Sequence, residues 1–110
     1  MADKKEETNI QNDIRIALGQ RGHITLRYNV GKFYTMDGRF ITIGEVGASD
    51  LIGHRYPDGK AFYIETKTPI GKARKEQKAF IKAMKESGAI AGFARSVEDA
   101  IKLVEENNEN

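Results

Sequence analysis

Apolar residues recur early in the chain at Ile10, Ile14, Ala17 and Leu18, the spacing of a helix with one inward stripe, and Gly22 ends the pattern. A first helix is therefore predicted over residues 6–21. From Ile24 the period shortens to that of strands. One run covers residues 24–30, and a hairpin pairs residues 33–36 with 39–43 about the turn-forming Asp37-Gly38. A loop spaced by Gly44 and Gly47 leads to a strand at residues 49–54. The turn Tyr56-Pro57-Asp58-Gly59 separates it from another strand at 61–67. Thr68-Pro69-Ile70-Gly71 breaks the sheet before a second helix at 73–87, whose inward stripe is Ala73, Gln77, Phe80, Ile81 and Met84. A compact apolar run at 89–94 suits a buried strand. Ser96 and Asp99 then form a capping box for a last helix, with Val97, Ala100, Ile101 and Val104 inward. The tail from Glu105 to Asn110 is expected to fray.

The resulting order, α-β-β-β-β-β-α-β-α, describes a mixed α/β domain with helices on the faces of a central sheet. With 110 residues and no repeat or linker, the expectation is one domain over residues 1–110. A core this small makes self-association a plausible source of further burial.

Composition narrows the chemistry. With no cysteine, disulfides, thiolate zinc sites and cysteine nucleophiles are all excluded. The polar start, Met1 to Asn9, cannot form the apolar heart of a signal peptide, and no apolar run is long enough to span a membrane. An intracellular, cytoplasmic protein is expected. Net charge is only +2, but residues 66–85 carry seven basic side chains against Glu76 alone, while residues 98–110 carry five acids against Lys102. One face is thus suited to a polyanion, although a solvated helix face would look the same on charge alone.

Ala61-Phe62-Tyr63-Ile64-Glu65-Thr66-Lys67 is the most informative stretch. Strand alternation puts Tyr63, Glu65 and Lys67 on one face and Phe62, Ile64 and Thr66 on the other. Asp50, on the preceding strand, is placed to pair across from Glu65. Two carboxylates and an ammonium at the ends of adjacent strands can hold a hard divalent cation and a phosphate, and oxygen ligands favour Mg2+ or Mn2+ over zinc. An exposed cross-strand charge pair has the same spacing. Three polar residues on faces that should be apolar favour the site: Gln77 in the second helix, and Glu7 with Gln11 in the first. A buried amide left without partners costs about 1–3 kcal/mol, so Gln77 is expected to face something polar. Dinucleotide and P-loop motifs are absent. His23 and His54 are the only histidines, and neither suggests a metal site.

The ordered motifs Glu7-Thr8-Asn9-Ile10-Gln11, Arg27-Tyr28-Asn29-Val30-Gly31, Gly47-Ala48-Ser49-Asp50-Leu51-Ile52-Gly53, Ile64-Glu65-Thr66-Lys67-Thr68-Pro69, Glu76-Gln77 and Gly88-Ala89-Ile90-Ala91-Gly92-Phe93-Ala94-Arg95-Ser96 resemble a stand-alone VRR-NUC domain of the PD-(D/E)XK nucleases. The resemblance runs from about Glu6 to Val104. It implies a restriction-endonuclease-like fold and metal-dependent cleavage of DNA, with Asp50, Glu65 and Lys67 as the catalytic set. It further implies Glu7 as a helix-borne acid, Gln77 as the glutamine beside the site, and the Thr66 carbonyl as a metal ligand. Ser49 stands where the superfamily's eponymous proline would be. Lys72, Arg74, Lys75 and Lys78, with Arg27 and Asn29 of the second motif, are the expected DNA contacts. Small members of this kind resemble Holliday junction resolvases in being homodimers, which implies branched DNA as substrate. A non-catalytic nucleic-acid-binding module, using the basic helix without a metal, is the alternative from another class. It would require neither Asp50, Glu65 and Lys67 together nor Gln77 on an inward face.

Overall fold

In a computed structural model, the described residues are 4–28, 31–43 and 50–106, with the side chains of 4, 5, 31–33, 41–43 and 50 excepted. Asn29 and Val30 of the second motif, the loop from Gly44, and residues 47–49 of the third motif lie outside them. The elements run in the order α1 (Lys4–Gln20), β1 (Ile24–Tyr28), β2 (Gly31–Tyr34), β3 (Phe40–Ile43), β4 (Asp50–His54), β5 (Ala61–Thr66), α2 (Lys75–Glu86), β6 (Ile90–Ala94) and α3 (Val97–Glu105).

Among the described residues the strands fall into two sheets. Four of them make a mixed sheet in the order β1-β4-β5-β6, while β2 and β3 pair with each other as a hairpin. Within the four-stranded sheet β1, β4 and β5 are antiparallel, and β5 and β6 are parallel because α2 carries the chain across between them.

Alternation along the central strands sorts two cores onto the two faces. On one face Leu51, Phe62, Ile64, Ile90 and Ala94 pack against Ile14 and Leu18 of α1 and Ala100 and Val104 of α3. On the other, Phe80 and Ile81 of α2 cover Ala91, with Tyr28, Tyr63, Met84 and Phe93 around them. Close approach explains one glycine. A Cβ on Gly53 would lie 1.9 Å from the Ile24 carbonyl oxygen and 2.6 Å from the Phe62 ring, whereas one on Gly92 would meet only the end of the Leu103 side chain of α3, at 2.9 Å.

The expectation of a frayed tail from Glu105 to Asn110 is corrected at its first residue, which α3 includes, while residues 107–110 lie outside the described residues. Glu105 is helical, and its carboxylate takes both Arg21 Nε and Nη2 at 2.6 Å and His23 Nε2 at 2.8 Å. The Glu106 amide still donates to the Lys102 carbonyl at the C-cap. Because His23 Nδ1 accepts from the Tyr56 amide at 2.9 Å, the proton shared with Glu105 sits on Nε2. These bonds pin the turn after α1 to the end of α3. His23 is thus a satisfied core histidine, edge-on to Phe62 with ring centroids 6.3 Å apart.

Candidate active site

Glu65 is the only carboxylate in β5, and it is 3% exposed. The pleat turns it, with Tyr63, toward α2. There the Gln77 amide nitrogen donates to Glu65 Oε2 at 2.6 Å, and the Gln77 carbonyl oxygen accepts the Arg74 backbone amide at 2.9 Å. Arg74 is the N-cap of α2. One side chain therefore satisfies a donor at the open end of the helix and grips the buried acid. This accounts for a polar residue, 5% exposed, in an otherwise apolar stripe.

Asp50 pairs with Glu65 in register on β4, and Tyr28 pairs with Asp50 on β1. Paired positions on antiparallel strands share a face and lie roughly 4.5–5.5 Å apart at Cα. Tyr28, Asp50, Glu65 and Phe93 thus form one row across all four strands. The Asp50 side chain itself lies outside the described residues. Lys67 follows β5, and its amide donates to the Ala94 carbonyl at 3.0 Å, which extends the β5–β6 ladder beyond Thr66. The alternation therefore carries Lys67 to the Glu65 face, where it is 8% exposed. Thr66 lies between them with its side chain toward the opposite face, and its hydroxyl finds no hydrogen-bond partner among the described residues.

The segment joining β5 to α2 is held by a residue to which the sequence assigns no role. Arg95, just past β6, donates through Nη1 to the carbonyls of both Thr68 and Gly71 at 2.6 Å. Its own backbone amide donates to Asp99 Oδ2 at 2.9 Å. In the capping of α3, Ser96 Oγ accepts the Asp99 amide at 3.1 Å, while the Asp99 carboxylate reaches back one residue further than a capping box would, to Arg95.

Other expected site residues lie at varying remove. Glu7 is half-buried in the first turns of α1 and Gln11 is buried. Helix α1 packs on the face opposite Glu65. The tight turn into β1 fixes its C-terminus at the Ile24 end of the sheet, so its seventeen residues, about 25 Å of helix, carry its first turns back toward the Tyr28–Glu65 end. Lys72, Arg74, Lys75 and Lys78 are exposed along the start of α2 and the loop before it. Arg27 is exposed but pairs with Leu51 in register, which puts it on the α1 face and away from Glu65. His54 is excluded from the site: it pairs with Ile24 and Ala61 at the far end of β4, roughly 13 Å along the strand from Asp50.

The sequence matches no family model and no curated protein. Among solved structures it is similar to one described as a VRR_NUC domain, at 20% sequence identity and a TM-score of 0.64. The superposition covers 94% of this chain and 98% of the other. Across nearly its whole length, the chain has the fold of a VRR_NUC domain.

Proposed function

We propose that the protein is a Mg2+- or Mn2+-dependent DNA endonuclease whose site is centred on Asp50, Glu65 and Lys67. The observation that carries this reading is the buried Glu65 carboxylate, held by Gln77, opposite Asp50 in register and one strand alternation from Lys67. A cross-strand charge pair on an open edge would be solvated. β5 is an interior strand of the sheet, and helix α2 closes over this face. The fold of a VRR_NUC domain supports the same reading.

The donor set fits a hard divalent cation: carboxylate oxygens at paired positions, with backbone carbonyls beside them and no sulfur. Among the described residues no three His, Cys, Asp or Glu side chains gather as ligands. The proposed set, whose Asp50 side chain lies outside those residues, is Asp50, Glu65 and the Thr66 carbonyl, with Glu7 reaching in directly or through water. A bound cation would supply Lewis acidity to the phosphate and lower the pKa of an attacking water.

The chain's own groups have distinct tasks in this scheme. Lys67 orients the attacking water and offsets charge developing on the phosphate oxygens. Gln77 fixes the rotamer of Glu65, so that the acid is already aimed before substrate arrives. Lys72, Arg74, Lys75 and Lys78 hold phosphates on either side of the cut, which gives binding without base specificity. Arg27, on the sheet face opposite Glu65, and Asn29 are assigned to phosphates away from the cut.

Branched DNA is the proposed substrate, taken by a homodimer that presents two sites to a symmetric junction. In support of self-association, Ile24 and Leu26 on the sheet-edge strand β1 and Ile16 on α1 are each more than half exposed. A panel of duplex, flap, fork and four-way junction DNA, cut with Mg2+ or Mn2+ and resolved on gels beside sedimentation of the same sample, tests both parts. Paired cuts across a four-way junction by a dimer are expected. Symmetric cutting by a monomer would remove the dimer, and no cutting of any structure would favour a binding module.

A further inference from the structure

Residues 66–75 contain no acid and four bases, and in their middle Pro69 and Ile70 are both exposed. Ile70 is 70% exposed. A single exposed apolar side chain is ordinary on a protein surface, so exposure alone decides nothing. What sets Ile70 apart is the rigidity of its mount and its position.

The mount is a four-residue turn, Thr68 to Gly71, closed by the Gly71 amide on the Thr68 carbonyl at 3.1 Å. Pro69 at the second position presets its own φ, and no described residue other than glycine has positive φ, so the turn is of type I with Ile70 at its third position. Both carbonyls at the ends of the turn are held by Arg95 Nη1 at 2.6 Å, and the Thr68 side chain is buried beneath. A Cβ on Gly71 would lie 3.0 Å from Thr68 Oγ1, so the turn packs tightly on the Thr68 side chain. An apolar tip is thus projected into solvent from a clamped base.

Its position follows from the chain. Ile70 is three residues from Lys67, and extended chain of that length reaches at most roughly 11 Å. At a rise of about 3.4 Å per base along a strand, that is some three base steps from a phosphate held at Lys67. Lys72, Arg74 and Lys75, all exposed, follow at once, so a backbone approaching the site is drawn over the tip. Proteins that bend or open DNA use apolar side chains of this kind between base steps, the cost of unstacking being offset by the larger protein surface that the bent duplex meets.

We infer that Ile70, backed by Pro69, is a wedge that enters the base stack within about three steps of the scissile phosphate. The protein then favours DNA whose stacking is already weakened, at a branch point, mismatch or nick. The inference rests on the proposed nuclease reading for the position of the cut, but its readout does not need cleavage.

The test uses the whole protein, without divalent ion, on a series of forks carrying 2-aminopurine at successive positions through the branch. Its fluorescence rises when a base unstacks. Wild-type protein and Ile70→Met should brighten one or two adjacent positions severalfold. Ile70→Ser, folded by circular dichroism and bound by anisotropy, should leave them near the free-DNA level and, with Mn2+, should cut roughly tenfold more slowly. Equal brightening by Ile70→Ser, or no bright position with wild type, would overturn the wedge. So would a bright position far from the mapped cut, or an Ile70→Ser effect confined to the sedimentation mass, which would make the tip a contact between copies. If wild type brightens the fork but never cuts with Mg2+ or Mn2+, the nuclease reading fails while the wedge stands.

Discussion

Gln77 is where stability and proposed catalysis meet in one side chain. Its carbonyl caps α2 at the Arg74 amide and its NH2 group holds Glu65, so truncation removes two bonds at once. Gln77→Glu separates them. A glutamate at this third helical position can still accept the Arg74 amide, as capping boxes do, but it offers no donor to Glu65 and adds a second carboxylate. The variant is expected to keep its fold, with a melting temperature within a few degrees of wild type, yet to lose most cleavage. Gln77→Leu should melt lower as well, by about 1–3 kcal/mol of stability, because a buried acid and a helix amide both lose their partner. Equal activity of Gln77→Glu and wild type, read on gels, would show that the bond to Glu65 serves the fold alone. That Gln77 faces something polar is readable from its place in an apolar stripe. Its two partners are not, since one is a backbone amide and the other depends on how α2 crosses the sheet. Arg95 shows the same limit: it acts on carbonyls 24 and 27 positions away, and no side-chain pattern encodes carbonyls.

Among the elements, helices and strands follow the apolar periodicity closely, and capping and turn residues mark most boundaries within two residues. Pairing order is less legible. The chain inserts the β2–β3 hairpin between β1 and β4, two strands that pair directly, and only long-range contacts decide that. The end of α3 reads as a frayed tail because its residues are charged and polar. In the fold, Glu105 joins Arg21 and His23. The Arg21 guanidinium, and after it His23, hold the Glu105 carboxyl well below its ordinary 4.5, at about 2. A carboxyl whose folded pKa is depressed stabilises the protein above its unfolded pKa and loses that contribution as pH falls toward the folded one. Thermal melting between pH 6 and pH 2 should therefore show stability dropping from about pH 4.5 downward, with a shallower drop in Glu105→Gln. Parallel acid limbs for the two proteins would show that this network does not tie α1 to α3 in solution.

Over the full chain, the net charge of +2 conceals a marked division. The bases of the α2 segment lie on the face of Glu65 and Lys67, whereas Glu105 is spent on Arg21 and His23 behind the sheet. Lys72, Arg74, Lys75 and Lys78 predict a steep salt dependence. If each neutralises one phosphate, log affinity for duplex DNA should fall against log salt with a slope of roughly −3 to −4, and replacing one of them by alanine should reduce it by about 0.9. Fluorescence anisotropy from low to moderate salt measures this, and a slope near zero would remove these residues from the interface.

Whether Asp50, Glu65 and Lys67 form a cleaving site is decided by one gel. Purified wild-type protein, Glu65→Gln and Lys67→Ala are incubated with a labelled four-way junction and a fork, with Mg2+, Mn2+ or a chelator. Wild type should cut only with the divalent ion, and either variant should lose at least roughly a hundredfold while DNA binding persists. Cutting by Lys67→Ala at the wild-type rate, or cutting that survives the chelator, would contradict a metal-dependent site built on these three residues.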